Sequence, residues 1–332
     1  MENRSKYLKY GLHAVILVGL IWAAVKYVNG AEVWQGLQNF QYRFMTVLLA
    51  LAVVYLLLKA ARFAILIEPF APNLSRLALY KAYISGQAAT LLPGGIAARA
   101  GLMKQVGIPL AESSLVVAVH SGWDQAIFLV SALVAALWFP TARLPVLTIL
   151  AVLGVVALLL ILRPTRQWLA GMAERMAIRF KYEKQWQQFL EAIPQVFTGQ
   201  IVLLCLLLTL ATLVLYIVIL YLTLRGFDLA VSYPTLFVAV ILPTMLGRIV
   251  PIPGGVGVTE ASMVGFLSSL GGLDTDITVG AVAIFRIVTI VIPAALGALV
   301  YFFFWRGEEE VEEQHQPVDS VMEASHASSP DL

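Results

Sequence analysis

Residues 200–223 (QIVLLCLLLTLATLVLYIVILYLT) run for 24 positions without one charged side chain. At 1.5 Å per residue a helix of that length spans about 36 Å, enough to cross a hydrocarbon core of about 30 Å. The segments at roughly 9–28, 45–67, 114–138, 145–162 and 277–304 also read as full spans. Across 332 residues the chain is 60% hydrophobic and only 13% charged, with a mean hydropathy of +0.85. A soluble core cannot hide that much apolar surface, so the expected class is an all-α polytopic membrane protein. The net charge of +2 decides little; where the charges sit decides more.

Two further apolar segments, 78–105 and 235–272, are each interrupted by Pro-Gly-Gly, in LLPGGIAARA and IPIPGGVGVTEA. Basic residues orient them. Arg4, Lys6 and Lys9 precede the first span, and Arg163, Arg166, Arg175, Arg179, Lys181 and Lys184 fill the stretch after the fourth. The short loops at 139–144 and 224–234 hold only Arg143 and Arg225, so both basic segments belong on the cytoplasmic side. The second span then ends inside near Ile67, while the third must leave from inside for the fourth to deliver Arg163 there. Segment 78–105 therefore begins and ends on the cytoplasmic side, as a re-entrant hairpin. With a cytoplasmic C-terminus, 235–272 is a second hairpin entering from the outer face.

The expected architecture is about six full transmembrane helices plus two re-entrant helical hairpins in inverted-topology repeats. One membrane domain covers 1–305, with repeats at about 9–138 and 145–304 and a cytoplasmic insert at 163–198. The first helix is expected to be retained, because no small-x-small cleavage site follows it. The acidic, polar tail 306–332 is expected to be disordered. In the insert, Trp168, Met172, Met176 and Phe180 recur every four residues among Arg175, Arg179 and Lys181. That pattern suits amphipathic helices on an anionic membrane surface, or equally a connector packed on the bundle.

Backbone freed from helical hydrogen bonding is tolerated at membrane depth only when buried in protein or facing water. Half-helix N-termini at such a break suit a phosphate or a carboxylate. The candidate substrate-binding residues are therefore Pro93, Gly94, Gly95 and Arg99 at the first break, and Arg248, Pro253, Gly254, Gly255, Gly257 and Glu260 at the second. The plainer reading is a pair of tight packed turns. Asp124 and Arg286 lie near mid-span, where a charge costs about 2.5–3.5 kcal/mol to insert. They are expected to approach each other or to flank one polar cavity, with a purely structural ion pair as the competitor. Lys59, Arg62 and Lys81 are explained by snorkelling or by a place at the inner mouth. His13 and His120 suit core or interfacial roles better than metal binding.

Enzyme signals are poor. Pro-Gly-Gly is not followed by the Gly-Lys-Ser/Thr of a phosphate-binding loop. Asp274-Thr-Asp276 has the DxD spacing of metal-dependent glycosyltransferases, but no nucleotide-binding domain accompanies it. The single cysteine, Cys205, excludes an intramolecular disulfide. No catalytic residue, metal or cofactor is expected, and no nucleic-acid partner.

LLPGG, IPIPGGVGVTEASMVGFLSSLG and FRIVTIVIPAALGAL resemble the transmembrane region of lysylphosphatidylglycerol synthases and its stand-alone flippase-like relatives. The resemblance covers most of 45–304 and is most specific from Pro251 to Glu260, similar to P-x-x-P-G-G-x-G-x-x-E. It matches Arg286 to the arginine of the family's last span and Asp124 to an aspartate of the third. The chain departs from the pattern at His120-Ser121, where the family often has Glu-Arg, and at Ala97-Ala98, which lack an acidic residue. What the resemblance implies is lipid translocation in a bacterial cytoplasmic membrane, with membrane lipids as partners. Residues after Arg306 do not supply the synthases' aminoacyl-transfer domain, so lipid aminoacylation is not expected. The alternative is a membrane scaffold or subunit for a lipid-modifying enzyme or glycosyltransferase.

Overall fold

The computed structural model describes residue 38 and residues 40–304, except 92–94, 140–142, 180–181, 250–254 and 256. The expected first span, Pro93 and Gly94, Pro253 and Gly254, and the acidic tail lie outside the described residues. Among the described residues every regular element is helical. Four helices among the described residues are long and apolar enough to cross a membrane: Arg43–Phe70, Leu110–Ala136, Gly199–Gly226 and Thr275–Phe303. This is a multi-pass helical membrane protein.

Helix α1 (Arg43–Ile67) leads through a short 3-10 turn to α2 (Arg76–Ser85), whose first turn is capped by the Ser75 hydroxyl accepting from Ala78 N–H. A 3-10 stretch, Gly86–Leu91, then precedes α3 (Gly95–Gln105) and α4 (Leu110–Ala136). Helix α5 (Arg143–Ile161) occupies the fourth expected run, and α6 (Arg163–Arg179) and α7 (Glu183–Val196) form the insert. Helix α8 (Gly199–Gly226) is capped by Thr198, and the second broken segment is α9 (Tyr233–Ile249) and α10 (Val258–Gly271). The last span is α11 (Thr275–Arg286), a π turn at Ile287–Val291 and α12 (Ile292–Phe304). The π turn ends just before Pro293, whose missing N–H already interrupts the helical ladder.

Directions follow from side-chain contacts. Gln41 N–H donates to the Gly226 carbonyl (2.9 Å) and the Phe40 ring meets Phe227 edge-on, so the start of α1 lies at the end of α8. Lys59 faces Asp124 and Arg62 faces His120, so α1 is also antiparallel to α4. The first broken segment starts where Arg76 pairs with Glu68 (3.1 Å). It reaches the level of His120 at Tyr83, and its second arm comes back alongside Gly86 through Arg99. It ends just before α4 begins. Both of its ends thus lie at the α1 C-terminal end.

The second broken segment uses the other end. Phe237 meets Trp138 at the α4 C-terminus, Arg248 reaches Gln125 at mid-α4, and Phe266 comes back to Phe139. A Cβ on Gly271 would touch Val231, which places the two ends of this segment together. The two broken helices therefore enter the bundle from opposite ends.

The packing is internally paired. Exchange α1 with α8, the first broken segment with the second, and α4 with α11–α12, and each principal contact acquires a counterpart. Thus α4 packs on α9 as α12 packs on α2 and the 3-10 stretch, and α3 packs on α4 as α10 packs on α11. Contacts of α1 with α2 and α4 map onto those of α8 with α9 and α11. A Cβ on Gly297 of α12 would lie 2.5 Å from the Ile84 carbonyl, so a methyl group there would clash.

The insert divides in two. Helix α7 buries Ala192 and Val196 and packs Phe189 and Ile193 against the cluster that includes Leu115, Val116 and Cys205. Its apolar face is covered by protein, mainly α4, so α7 is a packed connector. Helix α6 leaves Trp168, Met172, Arg175 and Arg179 exposed.

Candidate functional site

At the second break, the last turn of α9 and the loop after it touch backbone to backbone. A Cβ on Gly255 would lie 2.7 Å from the Gly247 carbonyl, and one on Gly247 would collide with the Thr259 hydroxyl. Gly255 (φ 62°) and Gly257 (φ 87°) both hold left-handed backbone that an L side chain strains. Gly255 and Gly257 are thus needed for closure itself. Gly247→Ala is expected to destabilise by about 1–3 kcal/mol through overpacking, read as a lowered unfolding temperature. An unchanged temperature would show that the two arms separate easily.

Gly257 caps α10, and its N–H donates to Glu260 Oε2 (2.6 Å), placing the carboxylate where the helix dipole favours negative charge. The other oxygen, Oε1, accepts from Arg286 Nε at 2.5 Å. Glu260 therefore closes the helix end and fixes the last span at once. The side chains are 28% and 11% exposed, so the pair is largely withdrawn from solvent. Arg248, at the end of α9, donates to Gln125 Oε1 (3.1 Å) and lies 4.2 Å from the centre of the Phe128 ring, a cation–π arrangement.

The first half is built differently. Asp124 pairs with Lys59 Nζ (2.9 Å) and with Arg62 Nη2 (2.7 Å). Arg62 is completely buried. Its Nη1 donates to Thr209 Oγ1 (2.6 Å), whose own hydroxyl donates to the Cys205 carbonyl. Its Nε lies 3.3 Å from His120 Nδ1, and Tyr83 Oη bonds His120 Nε2 at 3.2 Å. One buried guanidinium ties α1, α4 and α8 together, and its His120 partner reaches α2 through Tyr83.

The expected approach of Asp124 and Arg286 is therefore corrected: each sits in a separate ion pair, one in each half. Lys59 and Arg62 do not snorkel; both turn inward to Asp124. Arg99 bonds the Gly86 carbonyl (3.4 Å) and Gln87 Oε1 (3.3 Å) and lies over the Tyr83 ring, so it ties its own hairpin together. Of the candidate residues, the structure brings together Gly255, Gly257, Glu260 and Arg286, with Arg248 alongside α4. The signal for the missed cluster was present. Two cations three residues apart share a helix face and call for a counter-charge, and Asp124 lies well inside its span.

Asp274 has an ordinary helix role. Its Oδ1 accepts from Asp276 N–H (3.0 Å) and Ile277 N–H (3.3 Å), capping α11. The DxD spacing there is explained by the cap. Among the described residues no group of three or more His, Cys, Asp or Glu side chains is placed to hold a metal.

Paired broken helices entering an apolar bundle from opposite ends, each beside a mid-span ion pair, define a polytopic membrane protein with a polar interior. Residues 12–297 match the family model for the lysylphosphatidylglycerol synthase TM region, and the chain belongs to that family. No significant match was found among curated proteins.

Proposed function

We propose that this protein is a lipid flippase-like transporter, moving an anionic phospholipid or lipid-linked substrate across a bacterial cytoplasmic membrane. The observation that carries the reading is the second break, where Arg286, Glu260 and Arg248 meet helix ends released by Gly255 and Gly257. In this reading the two broken segments are re-entrant hairpins of inverted repeats, in a bundle of about six full spans with both termini cytoplasmic. The exchangeable packing of the two halves supports that arrangement. Arg286 and Arg248 contact the headgroup phosphate while Glu260 balances their charge, and the acyl chains stay in lipid. Movement is passive or ion-coupled, and the chain carries no enzymatic activity of its own.

The test is reconstitution of the full chain with a panel of headgroup-labelled lipids, following their accessibility in each leaflet. At least one anionic lipid is expected to cross faster than in protein-free vesicles. If none does, the transport reading falls. Co-purification of a lipid-modifying enzyme or glycosyltransferase would then favour a scaffold.

A further inference from the structure

The crevice between the C-terminal end of α1 and the start of α8 holds a cavity of about 540 Å³, lined by no residue of the second broken segment. Its lining changes character with depth. At the outer end lie Glu68, Arg76, Thr198 and Gln200, with Tyr80 on α2 beside them. Over roughly the next 10 Å along α1, at about 1.5 Å per residue, the walls are apolar, with Ile65 and Ala61 facing Ile201 and Leu204. A polar rim above a hydrocarbon slot on the flank of a membrane bundle has the polarity profile of one phospholipid.

The charges select the headgroup. Glu68 and Arg76 pair at 3.1 Å but remain 49% and 79% exposed, so each retains capacity for a second partner. The Thr198 hydroxyl accepts from Ile201 N–H, which leaves its own hydrogen to donate outward. We propose that this crevice binds a zwitterionic phospholipid with a primary ammonium headgroup, of the phosphatidylethanolamine type. Its phosphate lies on Arg76 and the Thr198 hydroxyl, its ammonium on Glu68, and an acyl chain runs down the Ala61–Leu204 slot. An anionic headgroup without the ammonium leaves the Glu68 carboxylate facing a phosphate. A trimethylammonium headgroup has no N–H to give it. The site goes beyond the transport reading and does not depend on it, since binding here needs no movement across the membrane.

The experiment uses the full chain, purified and delipidated in detergent, with unfolding temperature followed against added lipid. Phosphatidylethanolamine is expected to raise it saturably, and phosphatidylcholine and phosphatidylglycerol to raise it less at equal mole fraction. Arg76→Ala and Glu68→Gln are each expected to weaken the phosphatidylethanolamine response about tenfold, by loss of one charge-assisted hydrogen bond. Both side chains are too exposed for these changes to unfold the bundle. Equal responses to the three lipids, or wild-type affinity in either variant, would overturn the proposal.

Discussion

Asp124→Asn is expected to lower the unfolding free energy by about 3–5 kcal/mol, the cost of leaving buried charge without its counter-ion. The variant keeps side-chain volume but leaves Lys59 and Arg62 facing each other with no carboxylate between them. Lys59, with its side chain 19% exposed, can withdraw along Tyr55, whose hydroxyl and ring it already touches. Arg62 cannot, because it is fully enclosed by His120, Thr209 and the helices they belong to. Arg62→Met is expected to be the milder change, since Asp124 loses one of its two cations but keeps Lys59, and the other partners that lose a donor, His120 and Thr209, are neutral. Adding Lys59→Met to Asp124→Asn should recover part of the loss by removing the repulsion. Unfolding in detergent, followed by denaturant titration, orders the variants. An Asp124→Asn protein within 1 kcal/mol of wild type, on the order of the noise in such comparisons, would mean the cluster is solvated or rearranges.

The second large effect concerns transport more than folding. Glu260→Gln is expected to slow lipid movement at least tenfold, roughly the 1.4 kcal/mol that a weakened charge-assisted contact carries. Glutamine retains a side-chain oxygen for the Gly257 N–H, so the cap of α10 survives and only the ionic tie to Arg286 is lost. Glu260→Ala removes both and should add about 1 kcal/mol of destabilisation from the missing cap. Arg286→Ala breaks the same tie from the other side and also removes a proposed phosphate contact, so it is expected to slow transport at least as much as Glu260→Gln. The comparison separates an architectural glutamate from a functional one. If Glu260→Gln moves lipid at the wild-type rate while Glu260→Ala fails, the carboxylate is only a cap.

Much of this was legible from residues alone. Four of the spans expected after the first are found as helices long and apolar enough to cross a membrane, within a few residues of their apolar runs, and the run at 145–162 is helical, because hydrocarbon leaves the backbone no hydrogen-bond partner but its own helix. Pro-Gly-Gly marked where both apolar segments are broken, and at the second break Gly255 and Gly257 hold the left-handed backbone that glycine accepts. Asp124 lies near the middle of α4, at the level of the second break. The partners were not legible. Arg62 sits near the end of an apolar run, and linear position alone suggests escape to the interface. Helix α7 shows one apolar face, and periodicity reveals that such a face is covered without revealing by what.

The sequence by itself determined a helical membrane protein and the positions of its apolar helices and breaks. Each of these follows from chemistry acting along one chain segment at a time. Only the tertiary structure decided that Asp124 answers to Lys59 and Arg62 while Arg286 answers to Glu260. Ion pairing falls off within a few ångströms, so it depends on which helices are neighbours and how each is turned about its axis. Those two quantities are set by packing between segments distant in sequence.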